Sequence, residues 1–176
     1  MLHGGNNITL IGMPGSGKST IGVLLAKCLS KDFIDTDLMI QKRYGRVLQE
    51  IVDELGYLKL REFEEKMILS LCVSDTVIAT GGSAVYSEKA MHHLQKNGRI
   101  IFLHVEKATL LQRIDNFETR GLAKAAGQSF DELFFERILL YEKYGELVID
   151  CCNKRQEEIV REIIVALHDA PTLLSP

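Results

Sequence analysis

The chain has 176 residues, with 21 Lys and Arg against 24 Asp and Glu, so its formal net charge is −3; 46% of the residues are hydrophobic and 26% charged. These proportions are those of a soluble globular domain, and 3 Pro with 14 Gly exclude a collagenous or low-complexity chain. The slightly acidic balance argues against a nucleic-acid binder with a broad basic face, so an anionic substrate has to be caught by a few local cations.

Ile8-Thr9-Leu10-Ile11 is a short apolar run closed by Gly12 and reads as a buried strand. From Lys18 the apolar positions Ile21, Leu24, Leu25 and Cys28 recur at helical spacing to about Leu29. Phe33-Ile34-Asp35 is a second strand, followed by a helix from about Leu38 to Tyr44. Residues 47–72 read as helical with a break at Gly56, and Leu60, Phe63, Met67, Ile68 and Leu71 form one stripe. Thr76 to Thr80 is a strand that stops at Gly81-Gly82, Ser87 caps a helix over 88–96, and Arg99 to Val105 is a further strand. A helix over 107–115 precedes an aperiodic stretch, 116–128, with Gly121 and Gly127 as hinges. Ser129 then caps a helix to about Tyr144, Leu147 to Asp150 is the last strand, 156–168 is an amphipathic helix, and the tail from Pro171 is expected to fray. Strands alternating with helices predict an α/β fold with a mostly parallel sheet, in a single domain over 1–176.

Nothing in the chain approaches the ~18 apolar residues that span a bilayer. The first seven residues lack the layout of a secretory leader, so a cytoplasmic monomer without membrane or nucleic-acid partner is expected. Cys28, Cys72, Cys151 and Cys152 form no CxxC pair and are expected to be reduced, mostly buried thiols. His92 and His93 are adjacent, which does not present two ligands to one ion from a helix.

Gly12-Met13-Pro14-Gly15-Ser16-Gly17-Lys18-Ser19-Thr20 fits G-x-x-x-x-G-K-[ST] between a strand and a helix. Its glycines let backbone N–H groups turn inward on an anion, and the following helix offers its positive end to phosphate. Gly12, Pro14, Gly15, Ser16, Gly17, Lys18, Ser19 and Thr20 are therefore candidate ATP contacts, with Lys18 reaching the terminal phosphates and Ser19 a ligand of Mg²⁺. A carboxylate is still needed beside the metal. Asp35 and Asp37 stand at the mouth of the second strand, where residues i and i+2 of an extended chain share a side. One of them serves the metal and the other an acceptor hydroxyl; a cap on the next helix is the competing use, above all for Asp37.

Taken together, these residues resemble the shikimate kinase family, over almost the whole chain to about residue 168. Phe33 to Asp37 matches that family's second strand. Gly56, Arg61 and Glu64 fit its Gly-Glu-x-x-Phe-Arg-x-x-Glu segment, and Thr80-Gly81-Gly82-Ser83 falls at its triple glycine. Arg113, Arg120, Arg137 and Tyr141 have the spacing of its lid and post-lid residues. The resemblance implies a three-layer P-loop kinase fold with a central five-stranded parallel sheet, a mobile lid over about 116–128 and an acceptor-binding helical part over about 37–65. It also implies ATP-dependent phosphorylation of the 3-hydroxyl of shikimate. Asp37 would then receive the acceptor hydroxyls and the proton, and Asp35 would hold Mg²⁺ through water. Arg61 and Arg137 would grip the acceptor carboxylate, with Glu64 orienting them and Gly81 and Gly82 alongside. Arg113 would pack on adenine, and Arg120 would meet the transferred phosphoryl group. A planar two-pronged donor suits a carboxylate as Lys does not, which fits the two arginines.

Four positions depart from the family pattern: Ser83 for the third glycine, Tyr57 for an acid, Leu60 for an aromatic, and Arg120-Gly121-Leu122-Ala123 for Arg-Pro-Leu-Leu. They lie on the acceptor and lid side and leave the phosphate loop untouched. A kinase for another small polyol acid, gluconate-like, and a nucleotide-binding module with little activity therefore remain the alternatives. A guanine switch fits poorly, because Asn153-Lys154-Arg155-Gln156 lacks the Asp of Asn-Lys-x-Asp motifs.

Overall fold

Ile8, Leu10 and Ile11 are at most 4% exposed. Successive residues of a strand point to opposite faces, so this strand is covered on both sides and belongs at the centre of a sheet. The computed structural model describes residues 6–113, 122–125 and 127–169. In it, β1 (Asn7–Ile11), β2 (Asp32–Asp35), β3 (Thr76–Ala79), β4 (Gly98–His104) and β5 (Leu147–Asp150) form one sheet in the order β2-β3-β1-β4-β5. Every neighbouring pair is parallel. Parallel neighbours need crossovers, and α1 (Lys18–Leu29), α2 (Thr36–Tyr44), α3 (Leu48–Leu55), α4 (Tyr57–Leu69), α5 (Glu88–Asn97), α6 (Lys107–Arg113) and α7 (Phe130–Tyr144) lie along the connections, while α8 (Gln156–Asp169) follows β5.

Side-chain alternation separates the helical layers. Leu10 packs at Gly22 of α1. Its neighbour Ile11 is in register with Phe102, whose ring stacks on Tyr141 of α7 at 5.3 Å. α1 and α7 therefore cover opposite faces, and α8 packs beside α1. A second apolar cluster, with Ile40, Ile51, Leu60, Phe63 and Met67, joins α2, α3 and α4 beyond the strand ends and takes in Ala123.

The elements follow the sequence reading to within three residues, including the break at Gly56 and the Ser87 and Ser129 caps, whose hydroxyls accept from the N–H groups of Ala90 and Glu132. A 3₁₀ turn at Ala84–Tyr86 was not expected, because three residues carry no period. The lid over 116–128 falls mostly outside the described residues. The cysteines need a correction. Cys151 is buried and Cys152 half-buried, but Cys28 and Cys72 are exposed. Cys28 lies in the last turn of α1, where Leu29 meets the core instead, and Cys72 sits in the connection after α4. No helix among the described residues is long and apolar enough to cross a membrane.

One buried polar side chain ties the entry of the sheet together. Asn7 is 3% exposed, donates to the Val73 carbonyl at 2.8 Å and accepts from the Thr76 N–H at 3.0 Å. It thereby sets the turn that delivers β3 alongside β1. Asn7→Ala leaves both backbone groups without a partner, and each such group costs about 1–3 kcal/mol. A fall in the urea midpoint with an unchanged slope is the expected outcome; an unchanged midpoint would assign the turn to other contacts.

Candidate active site

β1 ends at the centre of the sheet, and the chain must turn sharply there to enter α1. Gly15 and Gly17 take φ of 84° and 95°, and Gly17 is the residue before the first turn of the helix. L side chains rarely adopt that conformation, which is why glycine stands at both places. The loop closes on itself through Ser16 N–H to the Met13 carbonyl at 3.0 Å. Lys18 is folded back into this hollow and donates to the carbonyls of Gly12 and Met13 at 2.8 and 2.9 Å. Burial lowers its ammonium to about 8, against the opposing pull of Asp37. The hydroxyl oxygen of Ser16 is buried there with no partner. Unspent donors at the positive end of a helix suit a polyanion.

Asp35 and Asp37 do come together, but not as two residues of one extended strand. Asp35 ends β2 and caps α2, its Oδ1 accepting from the N–H groups of Asp37 at 2.9 Å and Leu38 at 3.2 Å. Asp37 is already in the first turn of that helix. The cap is thus Asp35, because its side chain precedes the free N–H groups and can reach back to them. Its other oxygen accepts from the Ser19 hydroxyl at 2.6 Å. This pair of oxygen donors fits Mg²⁺, a hard cation that takes oxygen ligands.

Asp37 faces the cleft with a buried oxygen that has no hydrogen-bond partner. Burial, and then the charge of Asp35, push its carboxyl up to about 6. Glu64, 3% exposed, is pushed up to about 8 by burial and by Asp37. Both acids crowd Gly81, where a Cβ would collide with the two carboxyl groups.

The arginines form the far wall. Arg137, from α7, is 1% exposed, and Arg61, from α4, is half-buried. Their Nη2 atoms donate to one and the same oxygen, the carbonyl of Ala123, at 2.9 and 3.1 Å. Arg61 Nε is buried without a partner. The resemblance has Glu64 orient them. The hydrogen bond on its carboxyl comes from the Ser83 hydroxyl, a bond that a glycine at 83 would not offer, while both guanidinium groups act on it through their charge. Behind the guanidinium groups stands Tyr86, its ring centroid 3.5 Å from Arg61 Cζ and its hydroxyl 3.4 Å from Arg137 Nε. Tyr141 donates to the Gly82 carbonyl at 2.6 Å and ties α7 to the segment after β3.

These groups share one cleft of about 780 Å³, lined by Pro14, Gly15 and Gly17 to Thr20 of the phosphate loop, by Asp35, Asp37, Glu64, Gly82 and Ser83, and by Arg113 and Arg137. Four placements differ from expectation. Gly12 and Ser16 stand behind the lining, the Ser16 hydroxyl packed at Gly12. Gly81 lies behind the lining, its N–H taken by the Thr36 hydroxyl at 3.1 Å, so Gly82 and Ser83 form the wall. Arg61 reaches that wall through Ala123. Arg113 donates to the Cys151 carbonyl at 3.1 Å and borders the cleft at its β4–β5 end. Arg120 lies outside the described residues. Tyr86 escaped the sequence reading, because what marks it, a turn touching both α4 and α7, exists only in the fold. A main-chain oxygen such as that of Ala123 carries no sequence signal at all.

Comparison with known proteins agrees with this geometry. The family model described as "Shikimate kinase" matches residues 14–168. A protein named "Shikimate kinase 2" from Enterobacter sp. (strain 638) is 32% identical over 166 residues, 92% of this chain and 95% of that protein. A "Shikimate kinase" from Pseudomonas syringae pv. syringae (strain B728a) is 35% identical over 168 residues, covering 94% and 98% of the two chains. Among solved structures, the shikimate kinase from Acinetobacter baumannii in complex with shikimate superposes with a TM-score of 0.86 at 26% identity, over 95% of this chain and 96% of that one. A phosphate loop at the central strand, a pair of acids across from it and two arginines on the far wall are thus joined by a match over nearly the full length, and the chain belongs to the shikimate kinase family.

Proposed function

We propose that this protein transfers the terminal phosphoryl group of ATP to the 3-hydroxyl of shikimate, giving shikimate 3-phosphate in the biosynthesis of chorismate and the aromatic amino acids. The observation that carries the reading is the convergence of Arg61 and Arg137 on a single oxygen, with the unpartnered oxygen of Asp37 on the same cleft. A small acid with ring hydroxyls answers both features: its carboxylate takes the place of the Ala123 carbonyl, and its hydroxyl takes Asp37.

Gly12 and the loop N–H groups from Pro14 to Thr20 cradle the phosphates, and Lys18 exchanges its two loop carbonyls for phosphate oxygens. Ser19 and Asp35 would hold Mg²⁺, which supplies charge neutralisation on the phosphate oxygens when bound. Asp37 accepts the acceptor hydroxyl and takes its proton as the new O–P bond forms. The bond to the bridging oxygen breaks, and ADP leaves with that electron pair. The transition state of such a transfer is loose, with charge spread over oxygen, so a base of pKa near 6 is sufficient and positioning matters more. Gly82 lies against the acceptor, since a Cβ there would come within 2.9 Å of Arg137 Nη1. Arg113 borders the nucleotide base, and Arg120 meets the transferred group.

Three outcomes test this. Lys18→Met is expected to lower kcat by about 10²–10³-fold, the loss seen when one preorganised donor is removed, with the far-ultraviolet spectrum unchanged; retained turnover would take Lys18 out of the mechanism. Arg61→Ala is expected to raise KM for shikimate by roughly 10- to 100-fold, since a charge-assisted hydrogen bond contributes about 1.5–3 kcal/mol. An equal rise in KM for ATP would overturn its place on the acceptor. Because Asp37 must be ionised to accept the proton and its carboxyl lies at about 6, kcat/KM for shikimate should level off above that pH. Below it, kcat/KM should fall about tenfold per pH unit. A profile flat down to pH 5 would remove Asp37 as the base.

A further inference from the structure

Two guanidinium groups of like charge do not settle side by side on one neutral carbonyl unless something else holds them. Glu64, the acid that the resemblance sets beside both, is engaged by the Ser83 hydroxyl. What touches both is Tyr86. It ends the Ala84–Tyr86 turn, whose N–H at Tyr86 is bonded to the Ser83 carbonyl at 3.1 Å, and this turn packs against α4 and α7, the two helices that carry the arginines. The Arg61 guanidinium lies 3.5 Å from the centre of its ring, within the range of a close cation–π contact, and Arg137 Nε donates to its hydroxyl at 3.4 Å.

We infer that Tyr86 is the positioning residue of the acceptor-carboxylate pocket, aligning Arg61 by its ring face and Arg137 by its hydroxyl. Its role follows from Ser83, whose hydroxyl occupies the Glu64 carboxyl. The inference rests on the proposed shikimate kinase activity. Ser83 and Tyr86 belong to one turn, so a single local geometry removes one orienting group and supplies another. The phenol and the ring face do different work. The face of an aromatic attracts a cation through its quadrupole without bringing a second buried charge that would need its own partner. The consequence is a pocket whose arginines keep their full positive charge for the incoming carboxylate, because no buried anion is bonded to them in advance.

The test is steady-state kinetics on the full chain, with KM measured separately for shikimate and ATP. Tyr86→Leu keeps apolar volume and removes the aromatic face. It is expected to raise KM for shikimate roughly fivefold to thirtyfold, with KM for ATP and kcat within about twofold and the thermal midpoint close to that of the parent. Tyr86→Phe is expected to recover most of the loss. In a Ser83→Gly background, where Glu64 is released toward the arginines, the same Tyr86→Leu change is expected to cost several-fold less. An unchanged KM for shikimate in Tyr86→Leu would overturn the role of Tyr86, as would equal rises for both substrates. Strict additivity in the double variant would overturn the coupling to Ser83. If the parent protein itself releases no ADP in response to shikimate, the proposed activity fails first, and that result is distinct from either.

Discussion

Arg137 is among the largest fully buried side chains of the described residues. Its guanidinium donates to a backbone carbonyl and a phenol. A buried cation with only neutral oxygen partners is a costly arrangement, and it constrains everything around it. α7 has to bring the guanidinium to the cleft, Tyr141 has to pin that helix to the Gly82 carbonyl, and the segment after β3 has to pass without side chains between them. The same imbalance gives the cleft its chemistry, since the cost is relieved when an anionic group enters. Binding and catalysis thus draw on strain in charge rather than strain in backbone.

The opposite wall works on the same principle with the signs reversed. Burial pushes both Asp37 and Glu64 up, the charge of Asp35 adding to the first and that of Asp37 to the second. Ser83 fits Glu64 into this packed interior, because its hydroxyl gives the carboxyl a partner. Asp35 is instead spread over a helix cap and the Ser19 hydroxyl.

Much of this was legible in the residues. The strand, glycine-rich turn and helix of residues 8–29 announce a phosphate loop because each glycine and the Lys-Ser pair answers a separate physical demand. Asp35 and Asp37 were placed beside that loop for the wrong geometric reason. An extended i, i+2 pair and a cap followed by a first-turn residue look identical in sequence, and only the start of α2 tells them apart. Glu64 was matched to the right segment, but its partner was not readable. That depended on Ser83, nineteen positions away, arriving at the same point in space. Tyr86 is marked only by the two helices its turn packs against, and Ala123 contributes a main-chain oxygen that no side-chain pattern can mark.

The amino-acid order alone settled what is local. Hydrophobic period and turn residues set the elements, and the Gly-Lys-Ser motif set the anion site, because both act over one or two turns of chain. Which charged groups face one another was decided only by the tertiary structure. Parallel pairing brings the ends of β1, β2 and β3 to one edge of the sheet, and helices distant in sequence then close over that edge. Electrostatic partners are chosen by distance in space and by exclusion of water, and neither quantity is written along the chain.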